Sequence, residues 1–327
     1  MREIRNVFNE VIAKDLCSYC GICISICPRK ALELNDNNPI FHEELCTNCL
    51  LCLRVCPKMN NSFPVKDVAE EVYIGTATSH SLKEHAQSGG VVTALALTAL
   101  KSGLVDSIVT TVSDSKEPQK AIPYVLKNPI DAPKIGGSRY CYCPILYDLK
   151  NVCLASRSVC VIGLPCHLSA VQLARNRFKL INSKLKLLIG LLCFNNFTYT
   201  SLKEGILLKG FRVDPTRVRR INIERGFLEI KLDDGSVKKK RVKEFYGLLR
   251  RACLTCRHFI PPVCDLAVGA SGAPRGYSVI LVYTKLGREL LYKSVDDNLI
   301  EIARASNETR EVLRKLVLIK SKRALGK

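Results

Sequence analysis

The sequence predicts a chain of mixed α+β and α/β class. A small cysteine-rich unit comes first, followed by an α/β domain with a mixed sheet and an antiparallel C-terminal portion. Three observations carry this. Residues 17–57 contain two copies of one cysteine pattern, "CSYCGICISICP" and "CTNCLLCLRVCP". Downstream, apolar β-branched runs alternate with helical patterns, as in sheets with parallel strands. From Arg219 to Val242 the helices drop out, and "RINIERGFLEIKLDDGSVKKKRV" reads as a meander.

Each cysteine run is C-x2-C-x2-C-x3-C-P, the pattern that holds 4Fe–4S clusters in bacterial ferredoxins. Three thiolates at that spacing wrap one cubane in a tight loop. The fourth is expected to start a helix that carries it to the other cluster. Cys17, Cys20, Cys23 and Cys56 are then expected to hold one cluster, and Cys46, Cys49, Cys52 and Cys27 the other. Short cysteine pairs alone also suit zinc. Two full copies, with Pro28 and Pro57 behind them, favour iron–sulfur. Residues 1–64 therefore read as a ferredoxin-type domain with two 4Fe–4S clusters, and the chain as a carrier of single electrons.

Composition bounds the rest. At 327 residues there is room for two or three domains, and an apolar share of 47% supports full cores. Seventeen cysteines behind an N-terminus with no apolar leader point to a reducing, cytoplasmic setting and metal ligation. The longest apolar runs, "VVTALALTAL" and "LLIGLLCF", are too short to span a bilayer. The net charge of +20 suits acidic partners. Nucleic acid is not expected, because aromatics are only 6% and no nucleic-acid motif is present.

The elements follow in order. "MNNSFPVKD" (59–67) is polar and aperiodic and reads as a linker, with the joint placed at 65–72. "EVYIGTATS" is a strand candidate. In "AQSGGVVTALALTALKSG", Ser88 is expected to cap a helix that Gly89 and Gly90 open and Gly103 closes. Val105–Val112 follows as a strand. Ser158–Ile162 is a buried strand, Gly163–Cys166 a tight turn and the next stretch a helix. "KLKLLIGLLCF" is a further strand ending at Cys193. The run "KKKRVK" (238–243) follows the turn signal "LDDG" and fits an exposed strand. Gly276–Val295 is expected to be a hairpin turning at "KLG". "ETREVLRKLVLIKSKRAL" closes the chain as a basic amphipathic helix, ordinarily packed on the body. A peripheral membrane or partner contact is the less common role for such a helix.

Four of the remaining cysteines stand where ligands are expected. Cys166 and Cys193 follow strands, and Cys253 and Cys256 form the C-x2-C of "CLTC". Strand ends of an α/β sheet converge on one edge, where sites form; packing is the competing role for a free cysteine. Here the sequence resembles the coenzyme F420 hydrogenase/dehydrogenase beta subunits. The resemblance rests on "AQSGGVVTAL", "GSRYCYCP", "GLPCHLSAVQL", "GLLCF" and "CLTCRHF…CDLAVGASGAPRGYSVI". It implies an N-terminal family region at 73–157 and a C-terminal one at 158–327. It also implies one further 4Fe–4S cluster on Cys166, Cys193, Cys253 and Cys256, three in all. FAD is implied near Gln87, Ser88, Gly89 and Gly90 and near Gly137, Ser138, Arg139 and Tyr140. Physically, glycines before a helix offer free N–H groups to a pyrophosphate.

Departures from the family pattern are Arg257 and His258, where an acidic residue is usual, Cys264, and the added Cys141 and Cys143. Arg257 is expected to pair with a local carboxylate. Cys141, Cys143, Cys153, Cys160 and Cys264 are expected to pack, with a place close to the flavin as the alternative for Cys141 and Cys143. His85 and His167 adjoin the motifs and are expected to make local hydrogen bonds, with contact to a cofactor as the alternative.

The resemblance implies an oxidoreductase. Hydride would pass between coenzyme F420, a deazaflavin, and FAD. Single electrons would then pass through the clusters to ferredoxin or to a subunit of a larger redox complex. One rival keeps FAD and clusters with another donor, such as formate through a partner. Another is a flavin-free electron-relay subunit.

Overall fold

A computed structural model describes residues 4–60 and 63–326. Of the polar stretch 59–67, residues 61 and 62 lie outside the described residues. The N-terminal unit opens with a wide helical turn, Phe8–Ile12, before two short helices, α1 (Ile22–Ile26) and α2 (Leu51–Arg54). Between them lies a hairpin of β1 (Leu32–Asn35) and β2 (Asn38–Phe41). Its turn residues Asp36 and Asn37 have φ of 48° and 67°. Two successive positive φ angles make the turn whose twist matches paired strands. The fourth cysteines do not start helices. Cys27 caps the C-terminus of α1, and Cys56 follows the cap of α2. Each helix therefore fills the three-residue spacer and delivers its cysteine at its end.

The larger part is an eight-stranded mixed sheet. Its strands in chain order are β3 (Glu71–Ala77), β4 (Ser107–Ser113), β5 (Ala121–Leu126), β6 (Val159–Gly163) and β7 (Leu185–Leu191). A separate antiparallel sheet of β8 (Val218–Glu224), β9 (Phe227–Leu232) and β10 (Val237–Arg241) comes next. The main sheet is completed by β11 (Leu266–Gly269), β12 (Ser278–Val282) and β13 (Ile300–Arg304). Its spatial order is β13-β3-β12-β11-β7-β6-β4-β5. The run β4-β6-β7-β11 is parallel, and β12 joins β11 and β3 antiparallel to both. The strands β3, β4, β6, β7 and β11 thus point one way and end on one edge.

Helices α3 (His80–Glu84) and α4 (Val91–Lys101) precede β4. Helix α5 (Leu149–Ala155) leads into β6, and α6 (Pro165–Arg175) and α7 (Lys179–Lys184) link β6 to β7. A wide helical segment, Ser201–Phe211, precedes the small sheet, and α8 (Arg251–Leu254) follows it. Helices α9 (Lys285–Asp296) and α10 (Asn307–Ala324) end the chain. Strand residues alternate between the two faces as period-two side chains must. Cys160 and Ile162 of β6 pack with α4 and α9 through Leu95 and Leu291. Val159 and Val161 pack with α5 to α7 through Leu149, Leu168 and Ile181.

Two local expectations are corrected. The N-cap of α4 is Gly90 at φ 72°, with no side-chain cap, so Ser88 does not cap it. The stretch Gly276–Val295 is not a hairpin. "KLG" opens α9, because the Thr284 hydroxyl accepts from the Gly287 N–H and caps the helix. Gly287 leaves no room for a Cβ against the Asp265 backbone. Gly103, at φ 71°, ends α4 as expected, and β10 carries the exposed basic run.

Candidate metal centres and the adjoining glycine loop

The two cysteine loops share one backbone device. In the first, Tyr19 and Gly21 have φ of 55° and 85°; in the second, Asn48 and Leu50 have 52° and 62°. Left-handed residues at alternate positions curl the chain so that successive thiols face inward. These conformations are costly for non-glycine residues and persist where a site over-determines them. Only the first copy has glycine at the second position. A Cβ there would stand 2.7 Å from the Tyr147 nitrogen, because this loop is pressed against the α/β body.

The cysteines group as the repeat implied. Cys17, Cys20, Cys23 and Cys56 lie within electrostatic reach of one another. Burial pushes the Cys17 thiol up to about 11 and Cys20 to about 12. Cys27 joins Cys46, Cys49 and Cys52 around one partly open pocket. Backbone N–H groups of Tyr19 and Ala31 donate to the sulfurs of Cys17 and Cys27, each at 3.3 Å. Cys49 is exposed, so the second set is the outer one. Among the described residues no three ligand side chains converge on a single-ion site. Four thiols converging around one pocket in the second set, and four gathered in the more buried first set, are donor sets that fit a cubane.

A third set stands on the sheet edge. Cys166 opens α6 directly after β6, and Cys193 follows β7, its N–H donating to the Phe259 carbonyl at 2.9 Å. Cys253 lies on α8 and Cys256 just beyond it. All four line one cavity with Ser18, Lys58, Tyr142, His258 and Lys320. Burial raises Cys166 well above the ordinary thiol value and Cys193 to about 12. The donor set again fits a four-thiolate cluster. Cys20 lies within electrostatic reach of Cys166, so the inner ferredoxin-type set and this one share a wall.

The wall is aromatic. The rings of Tyr19 and Tyr142 stack at 5.5 Å, and the Arg250 guanidinium sits 4.1 Å from the Tyr19 ring centre. The Tyr142 hydroxyl and Cys253 sulfur are 3.0 Å apart. The expected pairing of Arg257 with a carboxylate is not formed. Among the described residues it has no ion pair, and its Nε is buried without a partner, as is His258 Nδ1. Burial pushes His258 down to about 4, aided by Arg257 and Lys58. His167 makes a local bond as expected, its Nδ1 accepting from the Leu164 N–H at 3.2 Å. Cys141, Cys143, Cys153, Cys160 and Cys264 are buried.

The glycine loop follows β3 on the same edge. Its groups are largely committed to the protein. The Gly89 N–H donates to Ser278 Oγ at 3.2 Å rather than standing free. The Ser88 hydroxyl donates to the Tyr277 carbonyl. A Cβ on Gly89 would meet the Gly75 oxygen at 2.6 Å, so the close approach is strand against loop. Gln87 Nε2 donates to the Ile221 carbonyl at 3.0 Å, and its Oε1 accepts from the Ser138 N–H at 3.5 Å. Arg139 is tied up entirely. Its guanidinium donates to Ser113 Oγ and to the carbonyls of Lys134, Ile135, Gly136 and Gly137. Burial lowers it to about 10 and raises the Tyr140 phenol to about 12. Arg139 thus knots the loop that positions Gly137, Ser138 and Tyr140.

From Ser138 the chain runs straight to the third cavity. Phe197 N–H donates to the Tyr140 carbonyl at 3.1 Å, and Tyr142 N–H donates to the Phe197 carbonyl at 2.8 Å. Four residue steps separate Ser138, beside Gln87, from Tyr142, beside Cys253; extended, they span at most roughly 14 Å. Tyr142, Lys58, Arg250 and Lys320 were not singled out in the sequence. For Lys320 a signal existed: it falls on the apolar stripe of α10 with Leu313 and Val317.

Family comparisons agree with this layout. The model described as "Coenzyme F420 hydrogenase/dehydrogenase, beta subunit N-term" matches residues 72–150, and its C-terminus counterpart matches 156–308. A "4Fe-4S dicluster domain" matches 16–60. The chain is 26% identical to a subunit of the F(420)H(2) dehydrogenase of Methanosarcina mazei over 325 residues, covering 96% of this chain and 91% of that one. It is 28% identical to the coenzyme F420-dependent sulfite reductase of Methanocaldococcus jannaschii, covering 96% of this chain but only 51% of that protein. A chain of the F420-reducing NiFe hydrogenase complex from Methanosarcina barkeri superposes with a TM-score of 0.75 at 25% identity, covering 80% of this chain and 92% of that one.

Proposed function

The chain belongs to the family of coenzyme F420 hydrogenase/dehydrogenase beta subunits, and from that premise we propose that it passes hydride between coenzyme F420 and FAD and single electrons through three 4Fe–4S clusters. The acceptor is ferredoxin or a partner subunit of a larger redox complex. The two-cluster unit and the family make it an iron–sulfur electron-transfer component of an oxidoreductase. When bound, FAD would exchange two electrons as hydride on one side and single electrons with the clusters on the other. Cys166, Cys193, Cys253 and Cys256 would hold the cluster nearest the flavin. Cys17, Cys20, Cys23 and Cys56 would hold the next, and Cys46, Cys49, Cys52 and Cys27 the outermost.

The observation that carries the proposal is the single line these groups form. The glycine loop, the Ser138–Tyr142 segment, the third cavity and the inner ferredoxin-type site adjoin in that order. The outer site ends at exposed Cys49, where a partner can dock. The residues' work is positional. Arg139 fixes the loop, Gly89 lets it lie against β3 and β12, and Tyr19 with Tyr142 fills the gap between two thiol sets. No side-chain acid or base is required by this scheme.

The committed Gly89 N–H and Arg139 donors favour one second reading, a flavin-free relay subunit on the same scaffold. Anaerobic purification with iron and flavin quantified separates the two. About twelve irons and one FAD per chain support the proposal; about eight irons without flavin would refute it.

A further inference from the structure

The last helix carries one buried and one half-buried cation, and no carboxylate among the described residues meets either. On α10 the inward positions run Leu313, Val317, Lys320, so an ammonium takes a place in an apolar stripe. Lys320 is 1% exposed. Its Nζ donates to the backbone oxygens of Phe194 and of Cys253, the latter at 3.3 Å, and it forms no ion pair among the described residues. Arg323, one turn on, donates to the Phe194 carbonyl at 3.2 Å and to Asn195 Oδ1 at 2.7 Å. Its Nε and Nη1 are buried with no partner. Both cations lie near the Phe194 ring, at 5.6 and 4.8 Å from its centre.

A buried charge without an ion partner is expensive, and a negative charge nearby offsets that cost. Lys320 lines the cavity of Cys166, Cys193, Cys253 and Cys256, and Lys58 of the N-terminal unit lines it too. Neutral thiols cannot supply that charge. A four-thiolate 4Fe–4S cluster can, with about two net negative charges oxidised and about three reduced by formal counting. We propose that Lys320, backed by Arg323, is the counter-charge of the third cluster, and that α10 thereby sets this cluster's reduction potential. The inference rests on the three-cluster reading above. The matched C-terminal family region ends at residue 308, so nearly all of this helix lies past it. Uptake of one electron adds one negative charge beside the ammonium, with no bond made or broken. The cation therefore favours the reduced cluster and raises its midpoint.

The test is an EPR-monitored redox titration of the anaerobically purified full chain, comparing wild type with K320M and K320R. K320M is expected to lower one midpoint by at least tenfold in the reduction equilibrium, about 59 mV for one electron. The other two midpoints should stay in place, and K320R should leave all three near wild type. Selective loss of one cluster in K320M but not in K320R would support the same role. An unmoved midpoint in K320M with about twelve irons still bound would overturn the inference alone. Equal cluster loss in K320M and K320R would also overturn it, since shape rather than charge would then matter. About eight irons in wild type would refute the three-cluster reading itself, and this inference with it.

Discussion

Single residues decide which cysteines meet. Cys193 is placed by a backbone bond to Phe259 and shares its cavity with three other thiols. Replacing Cys193 with Ser should lower iron content from about twelve to about eight per chain while the signals of the two ferredoxin-type clusters persist. Unchanged iron content would show that this thiol is not a ligand. At Gly89 the constraint is space. Gly89→Ala puts a Cβ against the Gly75 oxygen and the Ser278 nitrogen, and overpacking of this kind costs about 1–3 kcal/mol. Urea unfolding should show a lower midpoint than wild type; an unchanged midpoint would mean that β3 and the loop can separate freely. The ferredoxin-type thiols were legible in sequence because spacing alone fixes their loop. The fate of Arg139 was not legible. A cation in "GSRY" looks the same whether it meets a ligand or four carbonyls of its own loop and the Ser113 hydroxyl. The same holds for Arg257, whose missing partner only the packed structure reveals.

At the level of elements, the N-terminal unit has a small apolar cluster around Val7, Val11, Leu32 and Leu53 and little regular structure besides its cysteine sites. Its helices α1 and α2 have five and four residues, and its one hairpin pairs strands of four. So small a unit buries too little apolar surface for stability, and metal binding then supplies folding free energy. Removing iron should make the hairpin and the second cysteine loop open to protease while the eight-stranded sheet stays protected. Equal protection with and without iron, read by fragment mass, would contradict this. Sequence patterns served the sheet well. β4, β6 and β7 were legible as apolar runs, and α10 as a basic amphipathic stretch. α9 was not, because "KLG" resembles a turn until Thr284 is seen to cap a helix there. The short strands β11 and β13 gave no signal of their own. They exist because neighbouring strands accept them, and such pairing is non-local.

Across the whole molecule the parallel strands do the organising. β3, β4, β6 and β7 end on one edge, which brings together residues far apart in sequence: the glycine loop, Arg139 near Ser113, Cys166 and Cys193. The N-terminal unit docks on that edge through Tyr19, Lys58 and the loop around Gly21. Under the proposed function, that edge would join a two-electron carrier site to the outer cysteine set at exposed Cys49. No helix among the described residues is long and apolar enough to cross a membrane. The most direct test is an anaerobic titration of the full chain with reduced coenzyme F420, counting electrons taken up from the visible spectrum. The account predicts about five per chain, two on FAD and one on each of three clusters. No uptake from reduced F420, in protein that a chemical reductant brings to only about two electrons per chain, would contradict it.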